Sequence, residues 1–535
     1  MKYLSIILLF ASICLIPLSG CDNDELVALN DDPTAALELD WKFMFSQGTV
    51  QSAENRFING RVHLNLASGL IQQMATLQIG GERGSGDKYM RHLDSFDGTM
   101  RFFYPNALKT LAEVIRQTGP EGTNPNWTNL HHMAQVMYIV PMHIVTDLHG
   151  NVPYTEANSG VDGIFFPKYD DQEFIYKDML AKLETAANTI GTGPDEVGNA
   201  DLIFGGDFDK WKKFANSLML RLAMRISNVD PSTAQEYVQK AIAGGVMESN
   251  EDMAWLQMAA GPSQWFNQNG ISRAMIPDDW GANNMLSKTL VDWLKERNDP
   301  RLMIYSGGIG IWGGPYITDF DAQKGMPNGF DAETIREFEG VSEPVDRELT
   351  YSRLNPAMLD VDDPFIFMTY AEVEFLQAEA ILKGWASGSA EDHFNAGVRG
   401  SMQQWTIFGE SLAVTDAEVD AYLAANPFDG TEEMIGEHHW AANFMQWYEA
   451  YSNWRRTGFP QLTPVNYPGN VSGGEIFRRI EYFSIEVASN PNLQEGGTLP
   501  DDVLTLMWWD VNYLVNIILS NSSGTEIIRC RYLFF

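Results

Sequence analysis

The chain has 535 residues with 71 acidic against 36 basic side chains, a formal net charge of −35 at pH 7. Such a field repels nucleic acid and anionic lipid and suits a surface protein handling neutral or cationic ligands, although plain solubility accounts for it equally well. The three cysteines, Cys14, Cys21 and Cys530, build no disulfide framework, so stability falls to a packed core that a chain of this length supplies.

Lys2, the apolar run Leu4 to Leu18 and the small residues Ser19-Gly20 have the layout of an export signal over residues 1–20. Leu18-Ser19-Gly20-Cys21 also resembles a lipobox, in which cleavage before Cys21 frees its thiol to carry a diacylglycerol. Several acyl chains, each buried methylene contributing ~0.8 kcal/mol, anchor a protein stably. An ordinary signal with a chance cysteine is the plainer alternative. Removing residues 1–20 takes away one charge, that of Lys2, and leaves −36. Cys14 leaves with it, so Cys530 is the remaining candidate thiol. Residues 21–35, beginning Asp22-Asn23-Asp24-Glu25 after the cysteine, form a polar, lipidated tether.

From residue 36 apolar residues recur at helical spacing, and the architecture expected over 36–510 is mainly α. Asn129 to Val145 is one helix. In Phe174 to Ile190, Ile175, Met179, Leu183 and Ala186 fall on one face. In Phe208 to Ile226 the stripe is Trp211, Phe214, Ala215, Leu218, Leu222 and Ile226, with Asp207 placed as cap and Pro231 as stop. Thr233 to Ala243 returns, and Tyr370 to Leu382, Glu391 to Trp405 and Thr431 to Arg456 follow. Thr415-Asp416-Ala417-Glu418 is a capping box opening one more helix. Strand signals are few and short, Leu302 to Tyr305 among them. Residues 251–333, rich in Gly, Asn, Trp, Met and Pro, read as long loops with short elements between two helical blocks, where binding residues tend to lie. Val503 to Ser520 is interrupted by Asp510, Asn512 and Asn516 and does not read as a membrane span.

Gly308-Ile309-Gly310-Ile311-Trp312-Gly313 matches the dinucleotide fingerprint, but Gly314-Pro315-Tyr316 follows where a helix must open, so no nucleotide site is expected. His131-His132, His143, His149 and His438-His439 lack ligand spacing, so no metal and no cofactor are expected. No GxSxG serine or Cys/His nucleophile supports acyl transfer. With 71 carboxylates, pairs arise by chance, and a glycosidase pair is not legible in sequence. Five aromatics in the loop-rich stretch, Trp265, Phe266, Trp280, Trp312 and Tyr316, stand among Gly, Asn and Asp rather than on helical faces. Rings so placed lie flat against the apolar faces of sugars, or else pack the loops onto the helices.

Five segments together resemble the SusD/RagB family. Asp147-Leu148-His149-Gly150-Asn151-Val152-Pro153-Tyr154 is similar to its turn after a long helix, with Asn151 in place of the usual Asp. Trp211 to Arg225 is similar to its W-x-K-F-A-N-S-L-x-x-R-L-A-x-R helix. Tyr370 to Ala380, Trp454-Arg455-Arg456-Thr457-Gly458 and Arg478 to Tyr482 resemble later segments. The resemblance spans about residues 21–510 and implies tetratricopeptide-like helix pairs, no catalysis, and a lid over a SusC-type TonB-dependent transporter at the outer membrane. Its ligands are usually oligosaccharides, sometimes peptides. Asp22 to Glu25 then looks like the surface-export signal of Bacteroidetes lipoproteins. The matching motifs are scaffold and carry no ligand contacts onto this chain. Residues 511–535 depart from the family pattern as an atypical tail. A surface glycoside hydrolase and a protein-binding helical scaffold are the competing readings.

Overall fold

The computed structural model describes residues 40–79, 85–261, 267–275 and 284–511. The expected export signal over 1–20, Cys21, the expected tether, Trp265, Phe266, Trp280 and the tail from residue 512 lie outside the described residues. The helices are α1 (Trp41–Ser52), α2 (Leu93–Phe103), α3 (Lys109–Thr118), α4 (Thr128–His149), α5 (Gln172–Thr189), α6 (Phe208–Arg225), α7 (Pro231–Gly244), α8 (Lys288–Glu296), α9 (Arg301–Tyr305), α10 (Tyr370–Leu382), α11 (Ala390–Gln403), α12 (Asp416–Ala425), α13 (Glu432–Ala442), α14 (Trp447–Thr457) and α15 (Ser484–Ser489), with shorter turns between. Among the described residues no helix is long and apolar enough to cross a membrane.

Local chemistry sets many of the boundaries. Asp207 accepts the N–H groups of Asp209 and Lys210 at 3.0 and 3.1 Å and opens α6, whose stripe Trp211, Phe214, Ala215, Leu218 and Leu222 is fully buried. Asp230 caps α7 beside Pro231 at its first turn, and Thr415 with Glu418 forms the expected box at α12. A cap of this kind contributes ~1 kcal/mol. Five residues, Ile226 to Asp230, join α6 to α7, which makes a tight helical hairpin. Consecutive helices α3–α4, α4–α5, α5–α6 and α6–α7 pack on one another, as do α10–α11 and α10–α13, and α6 packs across α10 to join the two blocks. This is the helix-pair architecture anticipated above.

Asn151 shows why the departure from Asp is accommodated. Its Oδ1 accepts the N–H of Gln172 at the start of α5, while its Nδ2 donates to Gly496 O at 2.8 Å and to Asp171 Oδ1 at 3.1 Å. A carboxylate cannot make the two donations.

Some boundaries differ from expectation. Leu302 to Tyr305 lies in helix α9 rather than in a strand. The Asp299 carboxylate accepts the N–H of Arg301 at 2.9 Å and its guanidinium at 2.6 Å, a local turn that leads the chain into helix against the strand preference of the apolar run. The strand begins only at Ser306. Thr431 to Arg456 is two helices, broken between Ala442 and Trp447, where Met445 adopts φ +64°. Glu391 to Trp405 ends as helix at Gln403 and tightens to a 3-10 turn over Gln404–Phe408.

Three two-stranded antiparallel sheets organise the loop-rich part. They are β1 (Met74–Thr76) with β3 (Asn284–Leu286), β2 (Ala254–Leu256) with β6 (Phe365–Met368), and β4 (Ser306–Gly308) with β5 (Arg353–Leu354). Leu286 N–H donates to Ser352 O at 2.9 Å, placing β3 beside β5.

The five family-like segments meet in a buried charged network. Arg221 of α6 makes a bidentate pair with Glu372 of α10 at 2.5 and 2.6 Å, and Arg225 binds Glu449 of α14 at 2.5 and 2.6 Å. Arg456 pairs with Glu379 at 2.6 Å through both nitrogens. Arg455 donates to Asp147 O at 2.7 Å and Arg478 O at 2.8 Å, and Arg478 pairs with Asp510. Bidentate geometry repays part of the cost of burying these charges, and it fixes the mutual register of α4, α6, α10 and α14.

Candidate functional site

The chain leaves α9 through β4 into a tight antiparallel hairpin in which Ile309 and Ile317 exchange N–H···O bonds of 3.1 and 2.8 Å. Gln323 pins its base by donating to Ile317 O at 3.0 Å and Asp319 O at 2.9 Å. The glycines that mimic a dinucleotide fingerprint are explained here. A Cβ on Gly308, which has φ +107°, sits 2.6 Å from Ile317 O, and one on Gly310 sits 2.6 Å from Pro315 O. Close strand approach demands glycine at both, and no helix N-terminus follows to meet a phosphate.

The tip of this hairpin carries Trp312 and Tyr316, both half-buried, flanked by Ile311 and Ile317 at 53% and 54% exposure. Arg353 of β5 rises beneath them. Its guanidinium carbon lies 5.3 Å from the Trp312 ring centroid and 5.5 Å from that of Tyr316. Arg353 Nη1 approaches the Tyr316 hydroxyl at 3.4 Å, Gly313 N–H donates to the same hydroxyl at 2.9 Å, and Nη2 donates to Glu348 at 2.7 Å. Arg353 is 4% exposed, so one buried cation orders both rings while Glu348 offsets its charge. The result is an aromatic platform, two rings at one hairpin tip around a single guanidinium whose charge Glu348 offsets.

Of the five aromatics singled out in the sequence, Trp312 and Tyr316 are thus brought together, while Trp265, Phe266 and Trp280 fall outside the described residues. The neighbours of those three are tied to the scaffold. Ala259 N–H donates to Asn267 O at 2.7 Å, and Asn284, four residues after Trp280, opens β3 beside β5. Arg353 and Glu348 were not legible as site residues, because Arg353 meets Tyr316 across 37 residues of sequence, brought there by the pairing of β4 with β5, and Glu348 enters the site only through Arg353.

Among the described residues, one group of side chains has the spacing to hold a cation. Glu372, His439 and Glu449 place one ligand atom each within 4.8 Å of the others. Both carboxylates are already engaged by Arg221 and Arg225, and His439 Nδ1 accepts from Asn453 Nδ2 at 3.0 Å, which puts the ring proton on Nε2. Two guanidiniums in contact with the carboxylates repel a further cation.

A family model described as starch-binding, associating with the outer membrane, matches residues 33–483. The chain belongs to the SusD-like family. Solved structures agree with this SusD-like assignment over most of the chain. A chitin-binding protein is 30% identical with a TM-score of 0.76, over 88% of this chain and 100% of its own. A SusD homolog from Bacteroides uniformis is 25% identical with a TM-score of 0.71, over 88% and 100%. A chitin-binding SusD homolog from Flavobacterium johnsoniae, 24% identical with a TM-score of 0.72 over 88% and 99%, shares the fold. No curated protein matches the chain.

Proposed function

We propose that this SusD-like chain captures a neutral oligosaccharide at the cell surface without acting on it, using the Trp312–Tyr316 platform. The observation that carries the reading is the placement of one buried guanidinium under two half-exposed rings at a glycine-shaped hairpin tip. Arranged side chains of this kind lose little freedom on binding, which favours stacking of a sugar face. Glu348, the carboxylate joined to the platform, is engaged by Arg353 at 2.7 Å, which suits it to offsetting charge more than to proton transfer. Membership of a starch-binding family and the 30% identity to a chitin-binding protein support a glycan over a peptide.

In the same reading Trp265, Phe266 and Trp280 complete the ligand surface from the neighbouring loops, and residues 251–333 form the ligand region of a helical domain spanning 36–510. Cys21 carries the lipid that holds the chain at the outer membrane through the 21–35 tether. The partner is a SusC-type TonB-dependent transporter that receives the bound oligomer.

Calorimetry of the chain from Asp22 onward against soluble glycans and peptides, with product analysis of the same samples, tests the proposal. Binding of a glycan with no product formed is expected. Released products make the chain a hydrolase, and binding of peptides alone overturns the glycan assignment.

A further inference from the structure

A second ligand surface lies away from the platform. Between the α2–α3 junction and the loop 153–168 is a cavity of about 340 Å³, walled by Tyr104, Phe483 and the three prolines Pro105, Pro153 and Pro167. It continues past Asn158 into a second cavity of about 640 Å³, whose lining is polar and includes Gln47 and Gln51 of α1, Lys109 of α3 and Asp162. Pro105, Ala157 and Asn158 line both, so the two are halves of one cleft, and neither shares a lining residue with the platform. The volumes fall in the range of pockets that enclose small organic ligands.

The walls are held rigid. Tyr104 hydroxyl donates to Pro153 O at 2.6 Å, Asn490 Nδ2 to Pro167 O at 2.9 Å, and Asn492 Nδ2 to Phe166 O at 2.8 Å. Ser484 binds Asp97 through its N–H at 3.0 Å and its hydroxyl at 2.8 Å, fastening α15 to α2. At the meeting of the two halves stands Asn158, a non-glycine residue at φ +61° whose side-chain nitrogen is buried and donates to nothing. That nitrogen is shielded from solvent, and a rotation of the side chain toward the cleft exposes it to a ligand acceptor, whose hydrogen bond removes the cost of leaving it unpaired. Glu486 spends Oε2 on Tyr169 and Asn490, both at 3.1 Å, which leaves Oε1 to accept at the same wall.

We infer that this cleft is a second sugar-binding site, taking a neutral oligosaccharide whose one ring packs among Tyr104, Phe483 and the prolines while Asn158 and the α1 glutamines bind hydroxyl or acetamido groups. A neutral ligand fits because the lining charges balance, Arg101 against Glu486 on the aromatic half, and Lys109 and Arg116 against Glu113 and Asp162 on the polar half, where Arg116 and Glu113 pair at 2.6 Å. Flat apolar walls joined to planar amide and carboxylate groups match a ring with one apolar face and an equatorial set of hydroxyls.

The test uses crystals of the chain from Asp22 onward soaked with chitotetraose and with maltotetraose, a choice of probes that rests on the glycan reading above. Asn158→Gly serves as the matched variant, since glycine adopts the same φ without strain and removes the amide. Sugar density across Asn158, with affinity for that site at least tenfold weaker in N158G at unchanged thermal stability, is the expected result. Density at the platform alone overturns the second site and leaves the platform standing. Density in the cleft alone does the reverse, and density at neither overturns both. Cleft density with N158G affinity unchanged removes Asn158 from the account, and with Phe483→Ala also unchanged it overturns the site as drawn.

Discussion

Arg353 carries the platform at the scale of single residues. Its guanidinium carbon lies 5.3 and 5.5 Å from the two ring centroids while Nη2 reaches Glu348, and a lysine ammonium offers a point charge on a flexible stem instead. Arg353→Lys is therefore expected to weaken glycan binding several-fold with the helices intact, read by calorimetry beside circular dichroism; unchanged affinity removes Arg353 from the site. A second residue-scale prediction concerns Glu54, whose backbone sits at φ +65° and whose buried carboxyl has a pKa raised to about 8 by burial, against a lowering hydrogen bond from Tyr448. The unfolded chain ionises this group near pH 4.5 and the folded one only near 8, so stability is lost as pH rises through that window. Glu54→Gln, which keeps the acceptor for Tyr448, is expected to gain roughly 1–3 kcal/mol over the parent at pH 8 and much less at pH 4, by urea unfolding. Equal gains at both pH values contradict it. The aromatic half of the site was legible in sequence because Trp312 and Tyr316 stand among glycines off any helical face. Its charged half was not, since nothing local to Ser352-Arg353-Leu354 announces a partner 37 residues away.

Helices were legible wherever a cap, an apolar stripe and a stop coincide. For α6 all three do, and for α10 the expected Tyr370 to Leu382 matches the observed limits. Legibility failed where a side chain redirected the backbone: Asp299 turned Leu302 to Tyr305 into helix α9, and the Met445 kink divided α13 from α14. The pairing of elements was legible only through family resemblance, because Arg221 meets Glu372 across 151 residues. Helical arginines and glutamates normally read as solvated faces, whereas here they face the core. Removing Glu372 takes away the bidentate partner of Arg221 and leaves that buried charge to Glu449 at 3.5 Å and Phe367 O at 3.2 Å. Glu372→Ala is accordingly expected to destabilise the chain by about 3–5 kcal/mol, read from the urea midpoint, and a loss under about 1 kcal/mol contradicts the role given to the network.

Across the whole molecule the same network sets the acid limit. Burial alone raises the pKa values of Glu379 and Glu449, but the Arg456 guanidinium beside the first and those of Arg225 and Arg221 beside the second outweigh it and hold both at about 2. Their folded values lie below the unfolded value near 4.5, so the stability they supply is complete above that pH and is lost as pH falls toward 2. Urea midpoints falling steeply between about pH 4.5 and 2, more steeply than in Glu379→Gln, are the expected outcome. The helical scaffold, locked in this way, carries the hairpin that holds Trp312 and Tyr316. Whether the Trp312–Tyr316 platform binds sugar is read by titrating the parent chain and Trp312→Ala with whichever glycan the parent binds. Loss of at least tenfold in affinity, about 1.4 kcal/mol, with an unchanged thermal transition is the predicted result, and equal affinity in the two proteins contradicts sugar binding there.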